Sequence, residues 1–172
     1  MRKSELKDLG EKPFYNTYLN VLGDVDLMET LKNGKDNFVK LIEETPDEKL
    51  KYAYNEGKWT LAEVISHIID AERVFQFRAF RFSRNDTTPL PGFEQDGYVL
   101  ESNANEKSKE ELLKEYVQVR NCSITLFGEM DDAKLSREGV ASNLKWSVAG
   151  LGFVICGHQE HHVQILKERY LA

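Results

Sequence analysis

Gly157-His158-Gln159-Glu160-His161-His162 lies near the C-terminal end of the chain, inside an apolar-periodic run from Ser147 to Tyr170 that reads as a helix. His158 and His162 are four residues apart, so on a helix they stand one turn above the other on the same face. At about 100° per residue, Leu151, Ile155, His158, His162, Leu166 and Arg169 share one stripe, and the two histidines replace apolar residues on its inward side. His161 points to the edge. The chain has four histidines, and the remaining one, His67, belongs to a second helical run, on a line with Val64, Ala71, Val74 and Arg78. Two helices thus turn histidine toward one interior, and we expect His67, His158 and His162 to meet at one metal ion.

A lone inward histidine is more often a core residue satisfied by one hydrogen bond. Three buried imidazoles need three sets of partners, and a shared divalent cation satisfies them together. Such a ligand set suits zinc, nickel, copper or iron. Three protein ligands also leave a position for water or substrate, as catalytic sites do. Asp70 or Glu160 is placed to accept the second ring N–H of a ligand.

Outward from this stretch, the remaining helices announce themselves by their caps. Thr60-Leu61-Ala62-Glu63 is a capping box that opens the strongest helix, running to about Arg84 with Leu61, Val64, Ile65, Ile68, Phe75, Ala79 and Phe82 as its apolar stripe. Ser108-Lys109-Glu110-Glu111 opens another, with Leu112, Tyr116, Val119, Ser123, Leu126 and Phe127 on one side and a stop near Gly128. From Asp24 to about Glu44, Val25, Met28, Leu31, Phe38, Leu41 and Ile42 suit an amphipathic helix. Thr45-Pro46-Asp47-Glu48 reads as a further capping box before a short helical turn. Residues 1–22 form an arm whose Pro13, Phe14, Tyr15 and Tyr18 pack on the body. The stretches 85–107, with Pro89, Pro91, Gly92 and Gly97, and 129–145 read as long connections without strand alternation. The expected fold is all-α, a four-helix bundle with long inter-helix loops, with residues 1–172 as one domain. Lys58-Trp59-Thr60-Leu61-Ala62 and Lys145-Trp146-Ser147-Val148-Ala149 echo one another at the starts of the two histidine-bearing helices, each tryptophan stapling the first turn.

The formal net charge of −6 argues against a nucleic-acid or anionic-membrane partner. No apolar run approaches the roughly 18 residues that cross a membrane, and Met1-Arg2-Lys3-Ser4-Glu5 has no apolar h-region behind it. A cytoplasmic protein is expected. Cys122 and Cys156 lack metal-type spacing and read as free thiols.

Other candidates lie around the expected site. Arg120 and Arg78 can each clamp a substrate carboxylate, against the plainer expectation of an internal pair with Asp70, Glu72 or the loop acids. Tyr98 can hydrogen-bond a metal-bound ligand, or simply fill the loop.

With Lys58-Trp59-Thr60, Glu63, His67, Asp70-Ala71-Glu72-Arg73, the loop Leu90-Pro91-Gly92-Phe93-Glu94-Gln95-Asp96 and the closing Gly157–His162 stretch, the chain resembles the DinB/YfiT-like superfamily over nearly its whole length. The resemblance implies a four-helix bundle with a three-histidine site at His67, His158 and His162, found with nickel or zinc, and often a homodimer. Relatives of known activity include transferases and isomerases that depend on small thiols such as bacillithiol or mycothiol. Where related chains read Phe-Asp, this loop reads Phe93-Glu94, so Asp96 becomes the other candidate for an acid that contacts substrate. Both acids equally suit loop capping.

Two functions follow. In one, a mononuclear metal activates a small thiol or water against an electrophilic small molecule, as in an S-transferase or a hydrolase, with Asp96 and Arg120 as candidate catalytic groups. In the other the metal is structural or sensory, and His161 or a loop carboxylate closes the site as a fourth ligand.

Overall fold

The computed structural model describes residues 1–7 and 13–172, with the side chains of Pro13 and Phe14 outside the description. Four long helices carry the architecture: α2 (Leu27–Glu43), α3 (Leu61–Ser83), α5 (Lys109–Gly128) and α7 (Val148–Ile165), the last running on through a π-helical turn at Leu166–Tyr170. They pack in the ring order α2, α5, α3, α7, so each step of the chain from α2 to α3 and from α5 to α7 crosses the bundle diagonally. The short helix α1 (Pro13–Asn20) lies against α7.

The caps read from the sequence are present. Thr60 Oγ1 accepts the Glu63 amide while the Glu63 carboxylate accepts the Thr60 amide, and Ser108 and Glu111 repeat the exchange for α5. Ser147 caps α7 by accepting the Gly150 amide at 3.0 Å, and Asp26 caps α2 through the Met28 and Glu29 amides. The box expected at Thr45 does not form. Its hydroxyl donates back to the Leu41 carbonyl at 2.8 Å, and Pro46 leads into a 3-10 turn over Asp47–Lys49 with no side-chain cap. A threonine at the end of one helix satisfies that helix before it can serve the next.

Both long connections hold structure that the sequence reading lacked. The first contains α4 (Gln95–Glu101), and the second contains the short α6 (Asp132–Leu135) and an antiparallel hairpin of β1 (Glu138–Ala141) and β2 (Leu144–Ser147). The hairpin turns on Ser142 and Asn143, both left-handed at φ 52° and 60°, as a two-residue turn between twisted strands requires. Leu90 joins its edge, donating to the Val140 carbonyl and accepting from the Ser142 amide. The loop after α3 and the hairpin before α7 therefore form one wall across the ends of the two histidine-bearing helices. Gly139 sits against the Phe82 ring, where a Cβ would approach to 2.3 Å. No helix among the described residues is long and apolar enough to cross a membrane.

Candidate metal centre

α3 and α7 face one another, and this contact brings the three histidines together. One ring nitrogen from each of His67, His158 and His162 lies within 4.8 Å of the other two. His67 Nε2 and His158 Nε2 are 3.0 Å apart, and His162 sits with its ring centroid 4.9 Å from that of His67 and 4.6 Å from that of His158. Two imidazole nitrogens sharing one zinc-sized cation at ~2.0–2.1 Å stand roughly 2.9–3.4 Å apart, depending on coordination geometry. The His67–His158 spacing fits such an ion.

His67 and His158 are each 4 % exposed, and the protonated form is disfavoured throughout the cluster. Burial pushes the His67 imidazole down to about 4, with the charge of Asp96 pulling weakly upward. Burial and then the neighbouring histidines push His162 to about 3 and hold His158 well below the ordinary imidazole value. Near neutral pH the three rings are uncharged and keep lone pairs for a cation. The donor set, its spacing and its protonation all suit a divalent transition metal.

Aromatic rings hold the imidazoles in place. Trp59 lies 4.8 Å from His67, and Tyr18 meets His158 edge-on at 5.0 Å. The sequence reading assigned Tyr18 only to the arm. α1 comes this close to α7 because residue 157 has no side chain: a Cβ there would lie 2.0 Å from the Tyr18 carbonyl oxygen. A glycine inside a helix, one residue before a ligand, is the sequence signal that was available. His161 is half-buried between Tyr18 and His162 and is not one of the converging three. The site thus gathers three histidines whose ring nitrogens could hold one metal ion.

Beside His67 and His158 opens a cavity of about 280 Å³, walled by Phe75, Phe93 and Trp146 and reached by Arg78. Glu94 also lines it, but its carboxylate accepts the Asp96 amide at 3.3 Å as the cap of α4. Asp96 itself is exposed in the first turn of α4 and acts on His67 through its charge. Tyr98 lies exposed on the outer side, packed on Phe93. Asp70 accepts from Arg73 at 3.0 Å and no described histidine bonds to it.

Arg120 is placed elsewhere. It is 0 % exposed and grips Glu72, itself 2 % exposed, through Nε and Nη2 at 2.8 Å each. Nη2 also reaches Gln159 Oε1, and Nη1 reaches the Leu31 carbonyl. Tyr116 donates to the same Gln159 oxygen at 2.6 Å, and Ser123 donates to Glu72. Arg120 therefore takes the internal pair that the sequence allowed, and its fork is closed to a substrate carboxylate. The network ties all four long helices together next to His158.

The fold and its cluster define a class of protein: a helical bundle in which two facing helices turn three histidines toward a place that could hold a metal ion. Residues 30–166 match the DinB superfamily, and the chain belongs to that superfamily. It is 24 % identical over 123 residues, 70 % of each chain, to a protein of Oceanobacillus iheyensis whose name places it provisionally among metal-dependent hydrolases. The fold is similar to that of YfiT from Bacillus subtilis, assigned provisionally to the metal-dependent hydrolases and described as having an unusual four-helix bundle topology (TM-score 0.70, 16 % identity, 95 % of this chain and 90 % of that one). It is also similar to the mycothiol-dependent maleylpyruvate isomerase (TM-score 0.66, 11 % identity), of which it spans 61 % while 84 % of this chain is covered.

Proposed function

We propose that this protein is a metal-dependent enzyme in which His67, His158 and His162 hold one nickel or zinc ion and a small thiol attacks an electrophilic small molecule in the adjoining cavity. The observation that carries the reading is the convergence of three neutral imidazoles, His67 and His158 buried and His162 half-buried, with the first two opening onto an apolar-walled cavity. When bound, such an ion lowers the pKa of a thiol or water that it holds. The chain's own part is positional. The α3–α7 contact fixes the ring nitrogens, Trp59 and Tyr18 fix the ring planes, and Phe75, Phe93 and Trp146 exclude water from the electrophile. Asp96 lies exposed at the start of α4 and favours a positive charge at His67 through its own charge, and the proton that the nucleophile gives up passes to solvent. A C–S bond forms as the bond to the leaving group breaks.

Water as the nucleophile is the second reading, favoured by the description of the Oceanobacillus relative. A homodimer, as the resemblance implies, placed in the cytoplasm, as the sequence alone leads one to expect, completes the proposal. The test is conversion of a generic electrophile with and without a low-molecular-weight thiol, before and after chelation. Loss of thiol-dependent turnover on chelation supports the first reading, and metal-dependent turnover without thiol selects the second. Equal rates with and without metal defeat both.

A further inference from the structure

Arg78 lies on α3 eleven residues beyond His67 and is 3 % exposed, as deeply buried as His67 and His158. Unlike Arg120, it pairs with no carboxylate among the described residues. Nη2 donates to the Pro91 carbonyl at 3.0 Å and to the Ser142 hydroxyl at 2.9 Å, and Nε and Nη1 bond no described residue. The guanidinium carbon stands 5.9 Å from the Phe75 ring, 5.8 Å from Phe93 and 6.0 Å from Trp146. Three ring faces compensate a cation partly, but a buried charge without a counter-ion is costly. Burial pulls its pKa below the ordinary value, yet a guanidinium stays protonated at any working pH.

The cation faces the same cavity as the metal site. Phe75 stands between them, its ring 6.2 Å from that of His158, so guanidinium and imidazole are no farther apart than these two spans laid end to end. Glu94, the other charged group on the cavity wall, is engaged with the Asp96 amide. Ser142 Oγ, accepting from Arg78, keeps its own proton for a second ligand oxygen. A space of about 280 Å³ is at the small end of ligand pockets.

We propose that Arg78 and Ser142 form an anion receptor in this cavity and that the substrate is a small organic carboxylate, anchored at Arg78 with its reactive carbon turned toward His67 and His158. The orientation rests on the enzymatic reading above, whereas the receptor itself rests on its own geometry. It also separates the two arginines: one is saturated inside the bundle, and the other is held ready by a loop carbonyl and a hairpin hydroxyl.

The probe is butyrate set against its neutral isostere butyramide, titrated into the untagged protein as purified and again after chelation. Butyrate should bind at least about tenfold more tightly in both states, the scale expected for hydrogen bonds to a charged donor. The preference should vanish in Arg78→Gln and survive in part in Arg78→Lys. His67→Ala should leave it intact while abolishing metal loading. Equal binding of acid and amide by the wild-type protein overturns the proposal, and this arm needs no variant to fold. A preference that persists in Arg78→Gln, shown folded by circular dichroism, overturns it as well. Failure of the metal-site reading would show instead as no metal retained, with the acid preference unchanged.

Discussion

His67 on α3 and His158 on α7, ninety-one residues apart in the chain, bring their Nε2 atoms to 3.0 Å. Without an ion, one ring donates to the other; with one, both turn lone pairs toward it. Much of the molecule is arranged around that choice.

Removing one ligand should therefore be felt first in metal retention. Untagged protein should carry close to one equivalent of nickel or zinc, and His67→Ala should bind it at least ~100-fold more weakly, since even partners behind the ligands are worth 10–100-fold. Elemental analysis beside a competition titration measures this. Undiminished metal content in the variant would sink the three-histidine assignment.

The same burial makes the metal-free protein acid-sensitive in a window set by imidazole. Unfolding returns each ring to an ordinary value near 6.5, above its folded value of about 4 for His67 and about 3 for His162. The unfolded chain then binds more protons than the folded one, so this stability is complete above pH ~6.5 and drains away as pH falls. The limiting slope is about 1.4 kcal/mol per pH unit for each ring. Urea midpoints of chelated protein between pH 7.5 and 5 should fall accordingly, and His162→Gln should flatten the decline. A profile without slope across this range contradicts the burial of neutral rings.

Breaking the Glu72–Arg120 pair from one side should cost about 3–5 kcal/mol, because the remaining charge is left buried and alone. Arg120→Met alone is expected to unfold at much lower urea than the double variant Glu72→Met, Arg120→Met, in which neither charge remains. If the single and double variants lose stability equally, the pair does not act as a unit.

Gly157→Ala tests the approach of α1 to α7. The added methyl would meet the Tyr18 carbonyl at 2.0 Å, and backbone cannot yield as a side-chain tip does. Against the ~1 kcal/mol that alanine gains over glycine in a helix, we expect a net loss of about 1–3 kcal/mol. Metal affinity should weaken too, as Tyr18 withdraws from His158. A stabilised variant would show that α1 is not seated there.

Much of the bundle and the meeting of its three histidines was readable from the sequence because helical period and helix caps are local signals. Thr60 with Glu63, Ser108 with Glu111, and the four-residue spacing of His158 and His162 each lie within one turn. The hairpin was hidden for an equally local reason. Its strands have four residues each, and its turn uses Ser142-Asn143 in left-handed conformations where glycine is the usual marker. α4 was masked by Gly97 in its interior. The division between Arg78 and Arg120 is a tertiary property. Both sit on apolar helix faces, and only packing decides that Glu72 meets one while a loop and a turn meet the other.

The wall formed by Leu90, Val140 and Ser142 is built from chain outside the four long helices, whereas the histidines are embedded in two of them. On the proposed reading, part of the selectivity lies in this wall, where Ser142 meets Arg78 of α3, and the reactive centre lies in the helices alone. Substitutions in the turn or the loop would then reshape which molecule enters while the three histidines keep their geometry, an arrangement that lets one scaffold diversify what it accepts without rebuilding its centre.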